Sequence, residues 1–384
     1  MSVTAPQGFT AAGIAAGIKE NGGPDLALVV NNGPRHAAAG VFTANRVKAA
    51  PVLWSEQVLK GGTVSAVVLN SGGANACTGP QGFQDTHATA ERAAELLTGH
   101  SAGEIAVAST GLIGVTLPMD KLLPGLETAA AALSAHGGEK AAIAIKTTDT
   151  VHKTAVAGGE GWTVGGMAKG SGMLAPGLAT LLVVLTTDAD IETPALDTAL
   201  RAATRTTFDR VDSDGCMSTN DTALLLASGA SGVTPGYEEF AEAVRQVCAD
   251  LARQLVGDAE GASKDVRIEV INAATEDDAV EVGRSIARNN LLKCALHGED
   301  PNWGRVLSAI GTTSAAFEPD RLNVAINDIW VCKNGSFGED RDRVDMRYRE
   351  IRITADLSAG TESAVIWTND LTAEYVHENS AYSS

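Results

Sequence analysis

The sequence predicts a mixed α/β fold, α/β or α+β, from three observations. Short apolar runs that stop at polar or glycine residues alternate with amphipathic stretches along the chain. Apolar residues make up 44% and charged residues 20% of the 384 positions, a balance that supports large buried cores rather than disorder. A chain of this length suits roughly two domains of ~100–200 residues.

Leu26–Asn31, Val64–Asn70 and Ile105–Ser109 are predicted as buried strands, each a continuous apolar run with a polar end. Thr86–Leu97 and Pro118–Leu133 read as helices, the second interrupted near Pro124. Thr180–Thr186, rich in Leu and Val, reads as another buried strand. In Tyr237–Val256 the positions Phe240, Val244, Val247, Cys248, Leu251 and Leu255 fall on one helical face. A strand at Arg267–Asn272 and a helix at Asp278–Ala295 follow, then strands through Asn369. Ile351–Leu357 alternates apolar and polar residues, as in a sheet with one solvated face. Gly158–Gly161 and Gly338–Arg343 read as irregular, and a domain boundary is expected near residue 237.

Lys+Arg total 29 against 47 Asp+Glu, a net charge of −18, which disfavours nucleic acid and anionic membrane as partners. Leu181–Leu185 is a short apolar run, far from the ~20 residues that span a bilayer. The N-terminus has neither a basic nor an apolar leader region, and a cytoplasmic location is expected. Cys77, Cys216, Cys248, Cys294 and Cys332 are widely spaced and form no Cys-x-x-Cys pair, so free thiols are expected. His36, His87, His100, His136, His152 and His377 show no metal-ligand spacing; no metal and no cofactor are expected.

The densest cluster of unusual residues runs from Gly165 to Thr180. It contains Gly170-x-Gly172-x-x-Ala175, followed by Asp188 and Asp190, in the manner of a dinucleotide fingerprint. That motif must open a helix whose N-terminus holds the pyrophosphate. Here Pro176-Gly177 and a strand-like run follow, which argues against a nucleotide site. A Thr that starts a buried strand after such a loop can instead attack the carbonyl before it. The peptide becomes an ester, water cleaves it, and the new N-terminal Thr carries its own base in an α-amine of pKa ~8.

Lys169-Gly-Ser-Gly-Met-Leu-Ala-Pro-Gly-Leu-Ala-Thr180 resembles the self-cleavage signature of the ornithine acetyltransferases, the glutamate N-acetyltransferase family of arginine biosynthesis. Further blocks resemble that family in order along the whole chain: Asn70–Gly79, Ser109–Gly114, Thr147–Thr150, Ser218–Asp221, His297–Arg305 and Glu378–Tyr382. The chain departs from the family pattern at Gly73 (usually Asn), Cys216 (usually Asp) and Leu178 (often Met).

The resemblance implies a layered α/β sandwich carrying a cleavage site between Ala179 and Thr180, plus a smaller α/β domain in the C-terminal half. It divides the chain into a main domain 1–236 and a smaller one 237–384, whose tail returns to the active site. The cleaved products would be an alpha chain 1–179 and a beta chain 180–384, associating as two of each. The implied reaction moves acetyl from N2-acetyl-L-ornithine to L-glutamate, with Thr180 as nucleophile and acetyl-threonine as intermediate. Acetyl-CoA stands as an additional donor that the sequence leaves open.

Thr110 and Gly111 are carried over as the oxyanion hole, through a hydroxyl and a backbone N–H. Thr148, Lys169, Thr180, Glu260, Asn379 and Ser384 are carried over as substrate contacts, with Thr147 leaving the register at Thr148 uncertain by one. A carboxylate at Glu260 suits an ornithine ammonium, and Asn379 and Ser384 suit a substrate carboxylate. His297, Asp300, Trp303 and Arg305 read as a charge-paired structural turn. The rival reading is an N-terminal-nucleophile amidase or aminopeptidase, in which water replaces glutamate.

Overall fold

The computed structural model describes residues 2–175 and 181–381. In chain order the strands of the first part are β1 (Phe9–Ile14), β2 (Leu26–Asn31), β3 (Ala37–Phe42), β4 (Ala66–Ser71), β5 (Ile105–Thr110), β6 (Lys153–Gly159), β7 (Trp162–Lys169), β8 (Leu182–Thr187) and β9 (Thr222–Ala227). They form two sheets, ordered β1-β2-β4-β5 and β3-β9-β8-β7-β6. The facing sides share one core, in which Val29, Val67 and Ala106 of the first sheet join Met167, Val184 and Leu224 of the second. Helices Gly79–Leu96 and Met119–Ala131 cover the outer face of the first sheet. Helices Thr193–Thr206 and Tyr237–Gly257 pack against the second sheet. The result is a helix–sheet–sheet–helix sandwich. Being covered on both sides explains why β2, β4, β5, β8 and β9 are buried at every position and read as unbroken apolar runs.

The second part contains β10 (Asp265–Ala273), β11 (Asn323–Ile326), β12 (Ile329–Lys333), β13 (Ser336–Phe337), β14 (Glu350–Asp356) and β15 (Glu362–Asn369), ordered β13-β12-β11-β14-β10-β15. Its core takes Val266, Ile268 and Val270 from β10 and Ile351, Ile353 and Ala355 from β14, with Val282 and Ile286 from a covering helix. The alternating burial of β10 and β14 matches the one-sided pattern expected for 351–357. Contacts divide the described residues into one unit of residues up to 209 plus 216–258, and another of 210–215 plus 259–381.

Four details differ from the sequence reading. Helix Tyr237–Gly257 belongs to the first unit, so the division follows that helix rather than preceding it at 237. Its apolar face lies close to β7, where a Cβ on Gly166 would meet Val247 at 2.9 Å and Leu251 at 3.1 Å. Gly158–Gly161 is a tight hairpin rather than an irregular stretch: Gly159 pairs with Trp162, and Gly161 takes φ +81°. Helix Met119–Ala131 continues through Pro124, because Leu122, Leu126 and Ala129 are buried and the ring forfeits only one hydrogen bond near the helix start. The stretch 278–295 is two helices, Glu276–Ala287 and Asn290–His297, because the Asn289 side chain caps the second by accepting from Leu292 N–H at 2.9 Å. Among the described residues no helix is long and apolar enough to cross a membrane, and no His, Cys, Asp and Glu cluster could hold a metal.

Candidate active site at the strand ends of the sandwich

Topology brings the chemistry of the first unit to one end of the sandwich. Lys169, the last residue of β7, pairs in register with Leu182, the first of β8. The two residues thus stand side by side at one end of the sheet, and the described part of the connection between them, 170–175, which holds Gly170 and Gly172 of the fingerprint-like run, contains no helix. Leu182 pairs in turn with Thr222 at the start of the parallel strand β9. From the other sheet, β5 ends at Thr110, whose hydroxyl accepts from the Lys169 ammonium at 3.3 Å. Asn220 ties the two sheets together here, its amide donating to the carbonyls of Ala74 at 2.6 Å and Ser109 at 2.8 Å.

Gly111 follows Thr110 with φ +129°, a conformation side chains rarely adopt. A Cβ there would lie 2.5 Å from the Gly73 nitrogen. That nitrogen donates to the Thr110 carbonyl at 3.0 Å, so two backbones run in contact and neither position has room to spare. At Gly73 a Cβ would come 2.8 Å from Leu117.

Lys169 is 2% exposed, not a solvated surface lysine. A buried ammonium needs a nearby anion, and Asp149 supplies it. Burial alone would raise the Asp149 carboxyl, but Lys169 first and Lys153 second overcome that and hold it down at about 2. One Asp149 oxygen accepts from Gly170 N–H and from Lys153 Nζ, both at 2.7 Å; the other accepts from Thr147 N–H at 3.0 Å. Lys153 also pairs with Asp258 at 2.5 Å, and its side chain is fully buried. The Thr148 hydroxyl meets that of Ser171 at 2.6 Å, while Thr147 supplies its backbone N–H to Asp149. Asp149, Lys153 and Asp221 thus stand beside the predicted residues although sequence reasoning assigned them no part. Asp149 and Asp221 lie inside two of the quoted blocks, but spacing along the chain does not reveal which cations and amides they face.

Removing one member of a buried ion pair leaves the other charge uncompensated. Lys153→Met, which takes from Asp149 and Asp258 the buried ammonium they share, is expected to cost about 3–5 kcal/mol of stability, read as a lower midpoint in thermal or urea unfolding. The Asp149 carboxyl is depressed in the folded state, so its contribution is complete above its ordinary value near 4 and is lost as pH falls through about 2.

Ala179, Thr180 and Ser384 lie outside the described residues. In the second unit, the Asn379 amide donates to the Glu260 carboxylate at 2.9 Å and to the Tyr375 carbonyl at 3.0 Å. The helix that carries it, Ala373–Ala381, lies against the 259–264 segment, where a Cβ on Gly261 would fall 2.2 Å from the Tyr375 nitrogen. The Thr372 hydroxyl donates to the Gly261 carbonyl at 2.7 Å and caps that helix by accepting from Tyr375 N–H. His297 contacts Ser263 at 3.2 Å and Asp370 at 3.0 Å through the same nitrogen, Nδ1. A relay through a histidine needs both nitrogens, so this cluster is a bracing contact. Asp300 faces Arg341 at 3.2 Å, and Arg305 donates to the Leu291 carbonyl at 2.5 Å, so the turn is held by partners other than those two residues' own pairing.

The profile of the ArgJ family matches residues 10–384. The chain is 83% identical to the arginine biosynthesis bifunctional protein ArgJ of Streptomyces avermitilis over the full length of both, and 62% identical to that of Thermobifida fusca, again over both full lengths. A solved structure of ornithine acetyltransferase complexed with ornithine, from Mycobacterium tuberculosis, is 60% identical over a match covering 47% of this chain and 96% of that one, with a TM-score of 0.45. The class is an acetyltransferase of arginine biosynthesis. The chain belongs to the ArgJ family.

Proposed function

We propose that this enzyme cleaves itself between Ala179 and Thr180 and then carries acetyl from N2-acetyl-L-ornithine to L-glutamate on the Thr180 hydroxyl. The observation that carries the reading is the meeting of Thr110, Gly111 and Lys169 at the strand ends that flank the 170–181 connection. The Thr110 hydroxyl accepts from a cation, which leaves its own hydrogen to donate and strengthens it as a donor. Gly111 offers a backbone N–H with no Cβ beside it. Together they suit the negative oxygen of a tetrahedral intermediate. One site serves donor and acceptor in turn, which gives ping-pong kinetics.

Thr148 and Lys169 are proposed as substrate contacts in the first unit, Glu260 and Asn379 in the second, and Ser384, outside the described residues, as a further one. The Glu260–Asn379 hydrogen bond supports the reading that these two act together. The chains 1–179 and 180–384 remain associated as two of each, and the enzyme works in the cytoplasm.

The test is incubation with N-acetylornithine alone. One acetyl group, about 42 Da from replacing H by acetyl, is expected on the 180–384 fragment and none on the other. Glutamate should discharge it as N-acetylglutamate faster than water does. Product formed with no acetyl-fragment would mean direct transfer and would remove Thr180 from its role. Glu260→Gln is expected to slow loading more than discharge, because it removes the charge that pairs an ornithine ammonium while keeping the shape.

A further inference from the structure

A hydroxyl stabilises an oxyanion only while its hydrogen points at the negative oxygen, and at Thr110 the neighbouring amine decides where that hydrogen points. An ammonium has three donors and no acceptor. Held 3.3 Å from Thr110 Oγ1 as a cation, Lys169 Nζ can only donate, so the hydroxyl accepts and its own hydrogen is left for another partner. A neutral amine carries a lone pair. It would accept from the hydroxyl and draw that hydrogen away. Lys169 is 2% exposed, and burial disfavours an ammonium. Keeping the charge therefore requires an anion.

Three elements bring charged groups to Lys169. Lys19, between β1 and β2, is a second cation, whose ammonium donates to the carbonyls of Pro24 at 2.9 Å and Lys146 at 2.7 Å. Lys169 and Lys19 disfavour each other's charge. Asp221, just before β9, is fully buried, and burial pushes its carboxyl well above the usual range. Asp149, in the loop before β6, is the carboxylate that stays charged, held down at about 2 against its burial by Lys169 first and Lys153 second. Its backbone bonds fix it in place: Gly170, the residue after Lys169, donates its N–H at 2.7 Å, and Thr147 N–H donates at 3.0 Å. Lys153 does not consume this charge alone, because it is shared with Asp258.

We propose that Asp149 is a positioning residue for acetyl transfer: by keeping Lys169 an ammonium against Thr110, it orients the Thr110 hydroxyl as a donor to the oxyanion. This role rests on the reading of Thr110 and Gly111 as the oxyanion hole. Asp149 itself needs no contact with substrate.

The readout is kcat for acetyl transfer at saturating N-acetylornithine and glutamate, counted per cleaved molecule by intact mass. It is taken as the ratio of variant to parent at each pH, so that titrations common to both cancel. Asp149→Asn keeps an oxygen for Gly170 N–H and removes the charge. Lys169 should then lose its proton at lower pH, and the rate should drop by ~10²-fold at pH ~8, the usual cost of one oxyanion donor. The deficit should shrink as pH falls toward ~6 and Lys169 regains its proton. In a Thr110→Val background the same change should cost less than ~3-fold, because no hydroxyl is left to orient. A wild-type rate, a deficit that does not vary between pH ~6 and ~9, or one that is as large in the Thr110→Val background overturns the role of Asp149. Thr110→Val with a normal rate per folded molecule overturns the oxyanion reading instead. If Asp149→Asn does not mature, nitrogen NMR of isotope-labelled Lys169 in mature wild type decides. A buried lysine that keeps its proton at pH ~9 requires the carboxylate, and a neutral amine there overturns the proposal.

Discussion

Thr180→Ala is expected to leave a single uncut chain with no measurable acetyl transfer. No other change should act on both maturation and catalysis so completely. The hydroxyl is needed twice, first against the Ala179 carbonyl and then against the acetyl carbon. Losing a covalent nucleophile removes the route rather than weakening it. Thr180→Ser keeps the hydroxyl and should still be cleaved, with transfer retained at a reduced rate. Intact mass of each purified protein separates the outcomes, since wild type and Thr180→Ser give fragments 1–179 and 180–384 and Thr180→Ala does not. Active Thr180→Ala protein would end the covalent mechanism.

Gly111→Ala is expected to lower kcat by ~10²–10³-fold, the usual cost of one oxyanion donor. The physical cause is local. The new Cβ would lie 2.5 Å from the Gly73 nitrogen and 2.7 Å from the Gly72 carbonyl carbon, both backbone atoms that cannot rotate away. The φ of +129° is also strained for any side chain. The peptide must shift, and with it the N–H that would face the developing charge. KM should change less than kcat, because the donor acts on the transition state more than on bound substrate. Thermal unfolding measured alongside separates a misplaced donor from a lost fold. A variant with a normal rate per folded molecule would show that Gly111 only shapes the turn.

Elements whose local signals agree with their tertiary setting were legible in advance. β2 and the helix Tyr237–Gly257 appear where periodicity places them, since a strand covered on both faces and a one-faced helix leave unmistakable patterns. β3 and β6, with their alanines and glycines, carry little such signal. They exist because neighbouring strands supply hydrogen-bond partners: β3 pairs with β9 and β6 with β7. Asn289 shows the same limit from the other side. Its capping role is a common local device, yet the apolar pattern runs across it and hides the break.

By itself the sequence determined the alternating α/β class, the acidic balance and a set of motifs sufficient for the family resemblance, including Thr180 and the Thr110–Gly111 turn. Those depend on composition and order, which are properties of the chain. Only the tertiary structure decided that Lys169 is buried against Thr110 and balanced by Asp149, that Lys153 bridges Asp149 and Asp258, and that the buried Asp221 accepts from Leu181 N–H. Each of those contacts is fixed by strand register and by how closely charges approach away from water, and neither is a function of separation along the chain.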